Sequence, residues 1–121
     1  MNAVDPYKSP YQNYEPEDIF DNSKITVNFN IDKELFEGQS ICIVGSIPEL
    51  GAWKEFDAVM TKNHPNSWSY SLTCDNQLSF EYKYVVTDQF NQRQWEQGEN
   101  HKMSLMTVNE KTHFATDSFN G

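Results

Sequence analysis

Between Lys24 and Ile31 apolar and polar residues alternate one for one, Ile25, Val27, Phe29 and Ile31 against Thr26, Asn28 and Asn30. A period of two is the mark of a strand with one face buried and one wet. The run Ser40–Val44 (SICIV) gives a second strand, stopped by Gly45. The segment IPELGAW that follows holds Pro48 and Gly51 as breakers, which predicts an ordered loop rather than a helix. A short strand over Ala58–Thr61 and a turn cluster over Lys62–Ser67 (KNHPNS) come next. Trp68, Tyr70, Leu72 and Cys74 then alternate with Ser67, Ser69, Ser71 and Thr73, and Asp75, Asn76 and Gln77 reverse the chain. The longest strand follows, with Phe80, Tyr82, Tyr84 and Val86 on one face and Glu81, Lys83, Val85 and Thr87 on the other. A loop over Asp88–Arg93, a short strand around Trp95, a turn over Gln97–Asn100 and a last strand over Lys102–Met106 complete the pattern. No stretch of ten residues carries a helical period, so the elements predict an all-β antiparallel sandwich of seven or eight short strands.

The flanks read differently. Residues 1–22 carry Pro6, Pro10 and Pro16 and five acids against Lys8, and are expected to be an extended, acidic lead-in in which Tyr7, Tyr11 and Tyr14 recur. The domain is expected over 23–108, with 109–121 a polar, frayed tail. The lead-in has no apolar core and does not read as a signal peptide, and no apolar run is long enough to span a bilayer.

Charge and composition narrow the function. The 121 residues hold 18 acidic against 9 basic side chains, a net charge of −9. That balance excludes a binder that tracks nucleic-acid phosphates, and it equally disfavours an anionic membrane surface. Cys42 and Cys74 are the two cysteines, too few for a disulfide scaffold. Both lie in strand runs and are expected as buried, reduced thiols of a cytoplasmic protein, a Cys42–Cys74 bridge or an exposed reactive thiol being the competing arrangements. The sequence shows no nucleophile elbow, phosphate loop or zinc signature, and His64, His101 and His113 are scattered, so no catalytic residue, metal site or cofactor is expected. Glu81, Glu96 and Glu99 are carboxylates that the fold can bring near one another, but acids are frequent enough here for chance to explain that.

The tryptophans carry what remains. Trp68 shares a strand face with Tyr70 and Leu72 and reads as core. Trp53 closes the Pro/Gly loop and Trp95 sits among Arg93, Glu96 and Glu99, both in polar surroundings. A large ring held in a polar loop gains little unless something flat covers it, and a sugar offers C–H faces to a π face and hydroxyls to its rim.

The segments GQSICIVGSIPELGAW (Gly38–Trp53), Trp68, FEYKYVV (Phe80–Val86) and QWEQGEN (Gln94–Asn100) stand in an order and spacing that resembles a starch-binding domain, carbohydrate-binding module family 20. The resemblance covers about residues 23–108. It implies an immunoglobulin-like, open-sided sandwich that binds α-1,4-glucans such as starch, glycogen and maltooligosaccharides without cutting them. It assigns Trp53 and Trp95 as the stacking pair of a first site, with Lys83, Glu96 and Asn100 as its polar contacts. The second site of such domains departs here: Glu37 stands at its aromatic position, Phe36 lies one residue away, and the loop before Trp68 offers Asn63 and His64. A standard second site is therefore not expected, unless an N-terminal tyrosine supplies a ring. The alternative reading is a targeting module that brings an appended amylolytic enzyme, transferase or glucan phosphatase, or a protein bound through residues 1–22, to the glucan. A monomer is expected.

Overall fold

A computed structural model describes residues 23–121, so the N-terminal extension with Tyr7, Tyr11 and Tyr14 lies outside the described residues. The eight strands are β1 (Lys24–Asp32), β2 (Ser40–Gly45), β3 (Thr61–His64), β4 (Ser67–Asp75), β5 (Ser79–Thr87), β6 (Arg93–Trp95), β7 (His101–Ser104) and β8 (Thr112–Ser118). They form two sheets packed face to face, β3-β4-β1-β8 and β2-β5-β6, with β7 also paired to β5. The expected sandwich is what forms, antiparallel throughout except where β8 runs parallel to β1.

Alternation sets the core directly. Ile25, Val27, Phe29 and Ile31 of β1 pair in register with Cys74, Leu72, Tyr70 and Trp68 of β4. Their buried side chains meet Ile41, Ile43, Phe80, Tyr82, Tyr84 and Val86 from the other sheet. Phe29 and Tyr82 touch edge to face across the layers at 5.1 Å. Trp68 is core as expected, and its indole N–H is satisfied by the carbonyl of Lys33 at 3.1 Å.

The second sheet has a feature that shapes everything outside it. One edge of β5 takes β2, and the other edge is shared end to end by β6, opposite Val85–Thr87, and β7, opposite Ser79–Tyr82. The Gln97–Asn100 turn bulges out between these two half-strands.

Three boundaries differ from expectation. The segment expected as a turn from Lys62 becomes β3 through His64, because its backbone completes the edge of β4, while of the expected strand Ala58–Thr61 only Thr61 enters β3 and Val59 makes an isolated bridge to Cys42. The strand expected last, over Lys102–Met106, spans His101–Ser104 and is the seventh of eight. The expected tail over 109–121 contains β8, paired with β1 along its length from Thr26↔Thr112 to Asp32↔Ser118. Its inward positions are His113, Ala115 and Asp117, so the apolar alternation that reveals the other long strands is missing.

Both cysteines are free and buried, which rules out the Cys42–Cys74 bridge. Cys74 belongs to the core between the sheets, whereas Cys42 lies on the opposite, outer face of β2. Burial pushes both thiols up from their ordinary value.

Candidate binding face

The outer face of the second sheet carries the candidate site. Residues of β5 that do not enter the core, Ser79, Glu81, Lys83, Val85 and Thr87, point outward along it. Val85 and its register partner Cys42 join Val44 in a small apolar patch under Trp53 and Phe56.

Trp53 is delivered by a strained loop. Gly45 has no room for a side chain, since a Cβ there would lie 2.7 Å from the Glu81 carbonyl oxygen, and so the chain crosses β5 closely before turning. A kinked 3-10 segment over Pro48–Trp53 follows, with Gly51, Ala52 and Trp53 all at positive φ (82°, 50° and 65°). Left-handed geometry at the two non-glycine residues costs of order 1–2 kcal/mol each, and such strain gathers at ligand clamps. The loop is held by N–H bonds from Ala52 to the Ile47 carbonyl and from Lys54 and Glu55 to the Gly51 carbonyl. The outcome is a half-buried indole lying over the patch.

Trp95 comes from β6, where it pairs with Val85 and therefore shares the outer face with it. Its ring remains 38% exposed. Phe56 meets it edge to face at 5.7 Å, and the Arg93 guanidinium covers Phe56 at 3.9 Å. Phe56 thus wedges between the patch and Trp95, a role the sequence reading missed. Its signal was an aromatic residue three positions after Trp53 in the same polar loop.

The polar residues divide. Lys83 faces the gap between β6 and β7, and its ammonium donates to the carbonyls of Glu96 and Gly98 at 3.0 and 2.6 Å. It braces the turn and retains one proton for a ligand. Asn100 ends that turn and donates its amide to Glu81 Oε1 at 2.8 Å. Glu96 departs from its expected role as a contact on this face. It stands just past the end of β6, and its side chain is buried away from the exposed Trp95. Its carboxylate accepts from the Tyr84 and Asn120 backbone N–H groups at 3.1 and 2.9 Å and from His101 Nε2 at 2.8 Å. Its carboxylate oxygens are taken up by groups of its own protein.

Beyond Trp53 the face opens into a cleft of about 570 Å³ lined by Ser46, Trp53, Ser79, Glu81, Lys102 and Ser104, with Phe80 and Met103 completing its wall. The residues left at the second-site position lie elsewhere. Phe36 and Glu37 occupy the β1–β2 turn, Phe36 being 83% exposed, and Asn63 and His64 sit on the edge strand β3, where Asn63 is already bonded to Ser69 Oγ. Among the described residues no group of three His, Cys, Asp or Glu side chains is placed to hold a metal.

Fold and face together define a small β-sandwich binding module with aromatic rings and polar side chains displayed on one open sheet. The sequence from residue 24 to 115 matches the starch-binding domain family model, and the chain belongs to that family. It is 34% identical over 68 residues to an α-amylase of Thermomonospora curvata, an alignment covering 54% of this chain and 11% of that enzyme. Among solved structures it is similar to the family 20 carbohydrate-binding module of a maltotetraose-forming amylase from Pseudomonas saccharophila, with a TM-score of 0.59, 21% identity, and coverage of 77% of this chain and 100% of that one. A glucoamylase of Hypocrea jecorina superposes with a TM-score of 0.72 at 21% identity, over 96% of this chain and 19% of the enzyme. The chain spans only 11–16% of the length of the curated relatives it matches.

Proposed function

We propose that the outer face of the second sheet binds α-1,4-glucan chains, in starch, glycogen or free maltooligosaccharides, by stacking glucose rings on Trp53 and Trp95 without cutting them. The observation that carries this reading is the strained left-handed turn that sets Trp53 over the same apolar patch that Trp95 borders. Lys83 donates its remaining proton to a glucose hydroxyl, and Asn100 offers its amide from the end of the braced turn. Two rings and a few hydrogen bonds made in competition with water correspond to about −4 to −7 kcal/mol, or roughly millimolar to micromolar dissociation constants. Retention on a polysaccharide then comes from repeated sites along the glucan.

Trp53→Ala and Trp95→Ala should each lower affinity for β-cyclodextrin at least about tenfold while leaving the unfolding transition in place. Calorimetric titration checks this, and wild-type affinity in the double variant removes the platform. Incubation with maltoheptaose should release no shorter sugars.

A second reading is favoured by one observation, the small share that this module makes up of its enzyme relatives. In that reading the same face targets an appended catalytic domain or a partner protein to the glucan. Capture of a partner on starch that needs residues 1–22 supports it.

A further inference from the structure

The cleft beyond Trp53 is not part of the two-ring platform, yet it is continuous with it. Along β5 the outward residues run Val85, Lys83, Glu81, Ser79, a track of roughly 20 Å at strand spacing. Trp95 stands at the Val85 end and Ser79 lies at the cleft. Trp53 belongs to both, packing on the patch and walling the cleft. Asn100 ties the two zones together through its bond to Glu81.

The lining has the chemistry of a neutral polyhydroxyl ligand. Ser46, Ser79 and Ser104 bring three hydroxyls, each able to donate and accept. The Ser79 and Ser104 oxygens are 3.4 Å apart, a weak mutual contact that a sugar hydroxyl readily replaces. Ser46 Oγ accepts from the Glu81 N–H at 3.0 Å, which fixes its position and leaves its proton to donate. Glu81 and Lys102 stand opposite each other in the β5–β7 register, so the cleft offers a carboxylate and an ammonium whose charges cancel. That balance disfavours an anion and suits uncharged hydroxyls. A volume of about 570 Å³ lies within the usual range for small-ligand clefts and exceeds what a single stacked ring needs.

We infer that the glucan path continues past Trp53 into this cleft, which takes further neutral glucosyl units of the chain already stacked on Trp53 and Trp95. The inference rests on the platform reading and adds to it a preference for longer chains. The test compares maltotriose with maltoheptaose by calorimetry in the wild type and in a Ser79→Ile/Ser104→Ile variant. Both serines are exposed strand positions where a β-branched residue is tolerated, and the two larger apolar side chains narrow the cleft and remove two of its three hydroxyls.

A longer oligosaccharide has more registers on the platform, but that advantage is the same in both proteins, so the ratio of the two affinities reads the cleft alone. The wild-type ratio is expected to exceed the variant ratio on the order of tenfold, with maltotriose affinity unchanged. In the unaltered protein, the backbone N–H signals of Ser79, Lys102 and Ser104 should shift with maltoheptaose and stay in place with maltotriose, a readout independent of how the variant folds. Equal ratios, or signals that stay still with both sugars while maltotriose binds, overturn the cleft path and leave the platform standing. Failure of the wild type to bind either sugar overturns the platform itself. Tighter binding of a phosphorylated dextrin than of its neutral counterpart overturns the assignment to uncharged units.

Discussion

Glu96 follows the last residue of β6, Trp95, and its backbone N–H still bonds the Tyr84 carbonyl of β5, so continued alternation turns the two side chains to opposite faces. A buried carboxylate is tolerated only where donors surround it, and here two backbone N–H groups and the His101 imidazole do so. Its function is to fasten β5, the β7 end and the C-terminal segment beneath the strand that carries Trp95. Glu96→Ala strands those donors and should cost about 3 kcal/mol of stability, measured by urea unfolding. The folded variant should bind maltoheptaose far better than Trp95→Ala does. If Glu96 touched the sugar instead, affinity would fall and stability would hold. Alternation predicts the inward direction, whereas the resemblance to starch-binding domains assigns Glu96 to the sugar. Phe56 shows the reverse weakness: no period or motif marks it, because its value lies in a contact with Trp95 made only after two loops converge.

Among the strands, those whose inward residues are apolar were legible from sequence, and β8 was not. β1, β4 and β5 each present a row of large apolar residues to the core, so burial and period two speak together. β8 turns His113, Ala115 and Asp117 inward, and it pairs with β1 across more than 80 residues of intervening chain, which no local pattern reports. Its contribution is nonetheless structural. It closes the outer edge of β1, supplies Asp117 to the Tyr82 and Tyr84 hydroxyls at 2.8 and 2.6 Å, and leads to Asn120, whose N–H reaches Glu96. Removing residues 109–121 therefore takes away a strand ladder and the hydrogen-bond partners of the buried Tyr82, Tyr84 and Glu96 side chains at once. A chain ending at Val108 should lose its cooperative unfolding transition and the dispersed amide spectrum of a folded sandwich. A truncated chain that melts like the full one would show β8 to be dispensable.

At the scale of the whole molecule, the two sheets are joined by a polar seam inside an otherwise apolar core, and its chemistry fixes how the domain responds to alkali. Tyr82 and Tyr84 are buried, their rings meet edge to face at 5.8 Å, and both hydroxyls donate to Asp117. Burial raises both phenols well above their ordinary value, and the bond to Asp117 and its negative charge push the same way. In the unfolded chain the same phenols ionise near pH 10. Above that pH the folded protein holds protons that the unfolded chain has released, so stability is complete below about pH 10 and declines as pH rises further. Each tyrosine contributes up to about 1.4 kcal/mol per pH unit to this decline, roughly 2.7 kcal/mol for the pair. Against the lower end of the usual domain stability, about 5 kcal/mol, that slope removes the fold within about two units above pH 10. Substitution tests the linkage: Tyr82→Phe and Tyr84→Phe each remove one buried phenol. Urea midpoints between pH 8 and pH 12 should fall steeply in the wild type and less steeply in each Phe variant. Phenolate absorbance from the buried pair should appear only with unfolding, and its appearance in a still-folded protein would mean the seam admits charge.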